Sequence, residues 1–503
     1  MSPVVPRSQK LLLGLGESIL VTNTLCTGFF LNAYLLEVAC LTAGDVATIQ
    51  IVQGMFDLLN DPLIGTLSDN TQTRYGRRRP WMLLGTCLLP ASFFLLFSPS
   101  PFGDTNETGK LFYYMLCFCG LSVGLTCFNI SVASLVPEMT DDYDERTSLS
   151  SYRLAIGNVM GFVCLMAMTN LVSANEDDSA LGYRLGGLVV GSMLLVFGLV
   201  TFFFIKESPS SYWSPVQGFK ERSSSYGQMQ AESSPDSGPP TFLEEVRLVL
   251  KNKAYLWLLA IWLCGPTAMT VLQSSLILYC KYIMGDVTLI TPLILIVQGM
   301  AFLSLPVWIH LSKLKGKRWT YNAGALGLAG FTAALTFNSS LVFGYIVCCG
   351  VGFCLIVVYL IPYSMLPDCI EYDEYITGRR REGIYVGFFG FLMKISVTFA
   401  IGGANLLLKA TGYEAPKESC GVPLEAVDDD DELSAQNTST LMVIRMLVGV
   451  VPAGFFCLAA LAVSQYPITK DYHTDLLRKI AEKKEAAAEG SKNDGLRRSS
   501  AML

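Results

Sequence analysis

The sequence predicts an all-α membrane protein of twelve transmembrane helices, arranged as two pseudo-symmetric six-helix halves. Three observations carry that prediction. The 503 residues are 51% hydrophobic and 16% charged, with a mean hydropathy of +0.44, whereas soluble domains carry about 25% charged residues. Apolar stretches near the roughly 20 residues that span a bilayer follow one another along the whole chain. The segment Ile51-Val-Gln-Gly-Met55 also recurs as Ile296-Val-Gln-Gly-Met300. The composition excludes a soluble enzyme, and a net charge of −6 with pI 5.2 excludes a nucleic-acid partner. The 15 cysteines are mostly scattered inside apolar stretches, where a thiol acts as a small hydrophobe, and do not form a secreted disulfide framework.

The first expected span, 11–39, is too long and unbroken for a cleaved signal peptide. Spans follow at 45–69, 80–98, 111–136, 150–173 and 184–206, and resume at 254–282, 288–311, 319–337, 340–367, 383–410 and 440–466. Residues 207–253, rich in Ser, Pro, Gly and charge, read as a linker between an N-terminal half (1–206) and a C-terminal half (254–466). The tail, 467–503, carries Arg478, Lys479, Lys483 and Lys484 and reads as a solvated surface helix rather than a lipid-bound one. The repeated pentapeptide falls in the second and eighth spans, equivalent places in the two halves. Each copy precedes a Gly beside a basic residue, Gly76-Arg77 and Gly316-Lys317. Two parallel six-helix halves with substrate bound between them describe the major facilitator architecture.

Basic clusters at Arg74/Arg77–Arg79, Lys313–Arg318 and Arg379–Arg381 occupy alternate loops, which the positive-inside rule assigns to the cytosol together with both termini. The sequons at Asn106, Asn338 and Asn437 fall in the opposite set of loops, as glycosylation requires.

The repeat breaks where the chemistry begins. Three and seven residues past Gly54 stand Asp57 and Asp61; the second half has Phe302 and Pro306 there. At i, i+4 the two carboxylates share one helix face. They lie about 18 and 24 Å along a span that starts near Asp45, where uncompensated charge costs several kcal/mol. A cation shared between them removes that cost; capping a helix near a cytosolic vestibule, or bonding to Arg or Lys of the opposite half, are the other readings of the pair. The oxygen-only set favours Na+, and H+ is the alternative, because a like-charged pair raises one carboxyl pKa. Thr126 and Asn129 on the fourth span are candidates to complete the shell. Arg153 in the fifth span has the planar fork that binds a phosphate or carboxylate. Lys394 in the eleventh can be a counter-ion to the aspartates, and Glu17 and Gln273 are weaker candidates for the substrate site.

Four motifs in this chain resemble the glycoside–pentoside–hexuronide:cation symporters of the major facilitator superfamily: Asp57-Leu-Leu-Asn-Asp61-Pro-Leu-Ile-Gly65, Asp69 to Trp81, Leu135-Val-Pro-Glu138, and Leu366 to Gly383 followed by Lys394. The resemblance implies that Asp57 and Asp61 bind the coupling Na+, with Thr126 assisting. Within that family, Gly28 to Ala39, Ser148 to Arg153, Tyr359 to Asp368, Thr411-Gly-Tyr413 and Tyr466-Pro-Ile468 are most similar to the eukaryotic sodium-dependent lysophosphatidylcholine symporters. That similarity implies that Arg153 meets the lipid phosphate and that Lys394 sits between substrate and cation. The chain departs from that group at Gln273, where it usually has a Glu near the choline. It departs again at Ser173 to Tyr183, which lacks the cysteine that would pair with the loop around Cys420. Compared with the sugar permeases, Asn129 and Val21 replace two acids, which argues against a sugar. The resulting expectation is a monomeric, non-enzymatic Na+-coupled symporter of an amphipathic lysophospholipid in the plasma membrane or an endomembrane, surrounded by membrane lipids. A symporter of a sugar or other small polar solute is the first alternative, and a non-transporting scaffold or receptor the second.

Overall fold

The computed structural model describes residues 5–71, 73, 78–102, 106–139, 143–175, 178–205, 249–286, 289–337, 340–377, 382–413, 436–469, 472–476, 478–479 and 482. Twelve helical rods follow in chain order. In the first half they are α1 (Arg7–Cys26, continued by π turns at Thr27–Leu31 and Tyr34–Val38), α2 (Ala43–Asn70), α3 (Arg79–Leu96), α4 (Glu107–Met139), α5 (Tyr143–Ser173) and α6 (Ser179–Phe204). In the second they are α7 (Lys253–Tyr279, then a π turn Cys280–Met284), α8 (Ile290–Lys315), α9 (Lys317–Thr336), α10 (Leu341–Leu355 and Val357–Thr377), α11 (Glu382–Ala410) and α12 (Thr438–Val448 and Val450–Ser464). The described residues contain no strand.

Local chemistry sets the helix starts. Thr42 Oγ1 accepts from the Asp45 amide at the start of α2, Asp178 from Leu181 at α6, and Asn252 Oδ1 from Tyr255 at α7. Gly316 has φ +85°, a left-handed conformation only glycine adopts readily, and turns the chain from α8 directly into α9. The helices α4 and α5 run several residues past the spans expected at 111–136 and 150–173, because a helix need not stop where its apolar residues do.

Among the described residues, ten helical stretches are long and apolar enough to cross a membrane. The two rods outside that set are α2 and α9. In α2, expected as a span at 45–69, the residues Gln50, Gln53, Asp57, Asn60 and Asp61 lower the hydropathy of a helix 28 residues long. Of the expected linker, 207–248 lies outside the described residues, and Val249 is already buried. In the tail, Asp475 pairs with Arg478 and Lys479 one turn away. Hydrogen bonding from Lys479 and the neighbouring Arg478 hold the Asp475 carboxyl below its ordinary value, as on a solvated helix. Asn106 and Asn437 are exposed at helix starts, and Asn338 lies outside the described residues.

The halves are joined at the end of the bundle opposite the termini. Lys281 Nζ, past the end of α7, lies 3.0 Å from Glu37 Oε2 at the end of α1. Tyr413 Oη, past the end of α11, lies 3.5 Å from Glu37 Oε1. Burial beside Glu37 pushes the Tyr413 hydroxyl well above its ordinary pKa, so it remains a donor. Further inward, Asn405 donates to Asn32, and Asn32 to the Ser274 carbonyl. Ser173 of α5 meets Thr291 of α8 at 3.1 Å. Cys40, between α1 and α2, is disulfide-bonded; Cys420 lies outside the described residues.

Candidate functional site

The site assembles where α2, α4 and α11 meet. Asp57 and Asp61 project from one face of α2. On α4, Ser122 and Thr126 have the same four-residue spacing, so each hydroxyl meets one carboxylate. Ser122 Oγ donates to Asp57 Oδ1, and Thr126 Oγ1 donates to Asp61 Oδ1 at 2.9 Å. Asn60 Nδ2 donates to Thr126 Oγ1 at 3.0 Å and orients that hydroxyl towards Asp61. Lys394 of α11 enters from the opposite half, its Nζ 2.7 Å from Asp57 Oδ2 and 2.5 Å from Asp61 Oδ2.

Backbone proximity makes that reach possible. A Cβ on Gly54 would lie 1.9 Å from Thr398 Oγ1; without it, the Thr398 side chain of α11 packs directly on the α2 backbone. Lys394 stands one turn from Thr398, whose hydroxyl donates back to the Lys394 carbonyl at 2.8 Å. The matching glycine of the repeat, Gly299, faces open space. The repeated pentapeptide therefore serves the fold twice and the site once.

Electrostatically, two carboxylates and one ammonium leave a net negative charge in a helix bundle. The side chains are not sealed off: Asp57 is 20% exposed, Lys394 31% and Asp61 43%. One cationic position, flanked by two carboxylates and two hydroxyls, is filled by the protein's own lysine. That is the bonding to the opposite half weighed above as another reading of the pair, and the oxygens are those a hard cation takes.

Arg153 lies elsewhere, on α5, and its Nε donates to Glu17 Oε2 of α1. Glu17 is buried, and Tyr363 of α10 stands within electrostatic reach of it across the halves. Tyr363 also packs edge-on against Trp262 and Phe389, at 5.0 and 5.5 Å between ring centroids. An ion pair on one half thus lies within electrostatic reach of an aromatic cluster on the other. Gln273 sits half-buried, its Oε1 3.4 Å from where a Gly28 Cβ would be, at the α1–α7 interface. Asn129, nearly a turn beyond Thr126, is half-buried and is not drawn into the carboxylate cluster. Ser122 and Asn60 are the additions that sequence reasoning missed. The available signal was the shared i, i+4 period of Ser122/Thr126 and Asp57/Asp61.

Comparison with known proteins bears on the family and the fold. The profile of the MFS/sugar transport protein family matches residues 13–470. An uncharacterized symporter of Synechocystis is 28% identical, over 90% of this chain and 92% of its own. The sodium-dependent lysophosphatidylcholine symporter 1 of Gallus gallus is 24% identical, over 96% and 91%. Among solved structures, a D-xylose–proton symporter superposes with a TM-score of 0.63 at 12% identity, covering 92% of this chain and 98% of its own. With its multi-pass helical fold, the chain belongs to the MFS/sugar transport family and is a transporter rather than an enzyme.

Proposed function

We propose that the chain is a Na+-coupled symporter of lysophospholipid-like substrates that works by alternating access of two six-helix halves, 1–206 and 254–466, about a central site. The observation that carries this reading is the Lys394 ammonium held between Asp57 and Asp61. Na+ and Lys394 compete for the same carboxylates. When Na+ takes them, with Ser122 and Thr126 as neutral ligands, Lys394 is released within the membrane and needs an anion. A phosphate head group supplies one. Ion and substrate therefore favour each other's binding, and by linkage the coupling is reciprocal. Arg153 serves the same head group by exchanging Glu17 for phosphate, and the wall at Tyr363, Trp262 and Phe389 receives apolar substrate surface.

With the termini in the cytosol of a plasma-membrane or endomembrane protein, the closed end is the outer one. The Glu37–Lys281–Tyr413 contacts then form the outer gate, and the conformation is the one that releases cargo inward. Asn106 and Asn437 lie on the glycosylated side. The similarity to lysophosphatidylcholine symporters supports the substrate class, as does the absence of acids at Val21 and Asn129.

Uptake of labelled lysophosphatidylcholine and of a labelled glycoside, with and without Na+, tests the proposal in cells expressing the chain. Na+-dependent uptake of the lysolipid that Asp61→Ala reduces at least tenfold is the expected result. Uptake of the glycoside alone replaces the substrate; uptake indifferent to Na+ removes the coupling.

A further inference from the structure

A second cluster of ligand-type side chains stands apart from the transport site, where the tail returns to α10. Asp368 and Glu371, one turn apart on α10, face His473 of the tail. Its Nε2 lies 2.7 Å from Glu371 Oε2 and 3.5 Å from Asp368 Oδ1. One ligand atom from each residue lies within 4.8 Å of the others. The placement is built rather than incidental. Tyr466 is fully buried, with its hydroxyl 3.4 Å from Cys369 Sγ, and Leu476 is 2% exposed on the other side of the histidine. The tail is thus anchored both before and after His473.

We infer that Asp368, Glu371 and His473 form a zinc site that fastens the tail to the end of α10. An imidazole nitrogen carries at most one proton, so Nε2 can serve one of the two carboxylates it faces. The 3.5 Å separation from Asp368 is too long for a second hydrogen bond but matches the edge of a tetrahedron about Zn2+, about 3.4 Å for bonds of about 2.1 Å. The Glu371 contact opens by less than about 1 Å to reach the same edge. Two carboxylates and one imidazole are a Zn2+ donor set that leaves the fourth position to water, and the imidazole selects against Na+ and Mg2+. Lys317 Nζ holds both Asp368 oxygens at 2.7–2.8 Å. A carboxylate has lone pairs for the lysine and the metal together, and the lysine fixes its orientation. With neutral histidine, two carboxylates and one ammonium leave a single negative charge for the ion to balance.

The test uses the purified full chain. After exposure to Zn2+ at micromolar concentration and removal of excess, the wild type retains about one ion per chain. His473→Ala and Glu371→Gln each weaken retention at least tenfold, and His310→Ala, which removes the only other histidine, leaves it unchanged. Zn2+, but not Mg2+, slows tryptic cleavage at Arg478 and Lys479 in the wild type and not in His473→Ala. Failure to retain zinc, or retention that both site variants share with the wild type (binding by cysteine thiols), overturns the proposal. So does tail protection that is the same with and without zinc, which would make His473 a hydrogen-bonding partner alone. Lysolipid uptake is not a readout here, so the outcome is independent of the transport reading.

Discussion

Asp57 and Asp61 are legible in the sequence because charge within an apolar run is expensive and therefore conspicuous. Their partners are not. Ser122 is one of many small polar residues in spanning helices, and only its register with Thr126 distinguishes it. Gly54 is legible as part of a repeat, but its role is not, since a Cβ on its twin Gly299 would meet nothing within 4 Å. The contrast yields a prediction. Gly54→Ala forces α11 away from α2, an overpacking that costs about 1–3 kcal/mol, and withdraws Lys394 from both carboxylates. Transport falls at least tenfold, while Gly299→Ala stays within about twofold; equal effects of the two variants would contradict the account. Ser122→Ala removes one neutral ligand and raises the Na+ concentration for half-maximal uptake several-fold, without changing the substrate concentration dependence at saturating Na+.

Each helical rod overlaps a span expected from the sequence, α2 and α9 included. The irregularities within the rods were not legible: α1 loosens into π turns as it approaches Glu37, and α12 breaks at Gly449, where a Cβ would lie 1.8 Å from Thr336 Oγ1. Tertiary contact decides these features, and hydropathy does not register it. The ends of α1, α7 and α11 are where an element-level prediction belongs. Glu37 and Lys281 come from opposite halves, and their side chains are 10% and 29% exposed. Breaking such a partly buried pair costs about 1–3 kcal/mol, between the exposed and buried limits. Glu37→Gln shifts the population towards opening at that end, by about tenfold for a loss of 1.4 kcal/mol. A cysteine placed at Ser274, buried in the closed interface, reports this as faster labelling by a membrane-impermeant maleimide. The exchange Glu37→Lys with Lys281→Glu restores the slow rate. A slow rate in Glu37→Gln itself would show that the pair does not hold that end closed.

At the scale of the molecule, the two halves share a pentapeptide and differ in the residues that follow it. The first carries the acids on α2, and the second supplies the lysine that pairs with both of them. This division was half legible: the repeat and its break are in the sequence, whereas the meeting of Asp57, Asp61 and Lys394 requires the packing of α2 on α11. In the proposed cycle Lys394 competes with the coupling ion and, once displaced, attracts the substrate, so that one residue would link ion, cargo and the approach of the halves. The most direct test is saturation binding of labelled Na+ to the purified protein, with and without lysophosphatidylcholine. The account predicts saturable Na+ binding that the lysolipid tightens several-fold and that Asp61→Asn abolishes. Na+ binding that survives in Asp61→Asn, or that the lysolipid leaves unchanged, would contradict it.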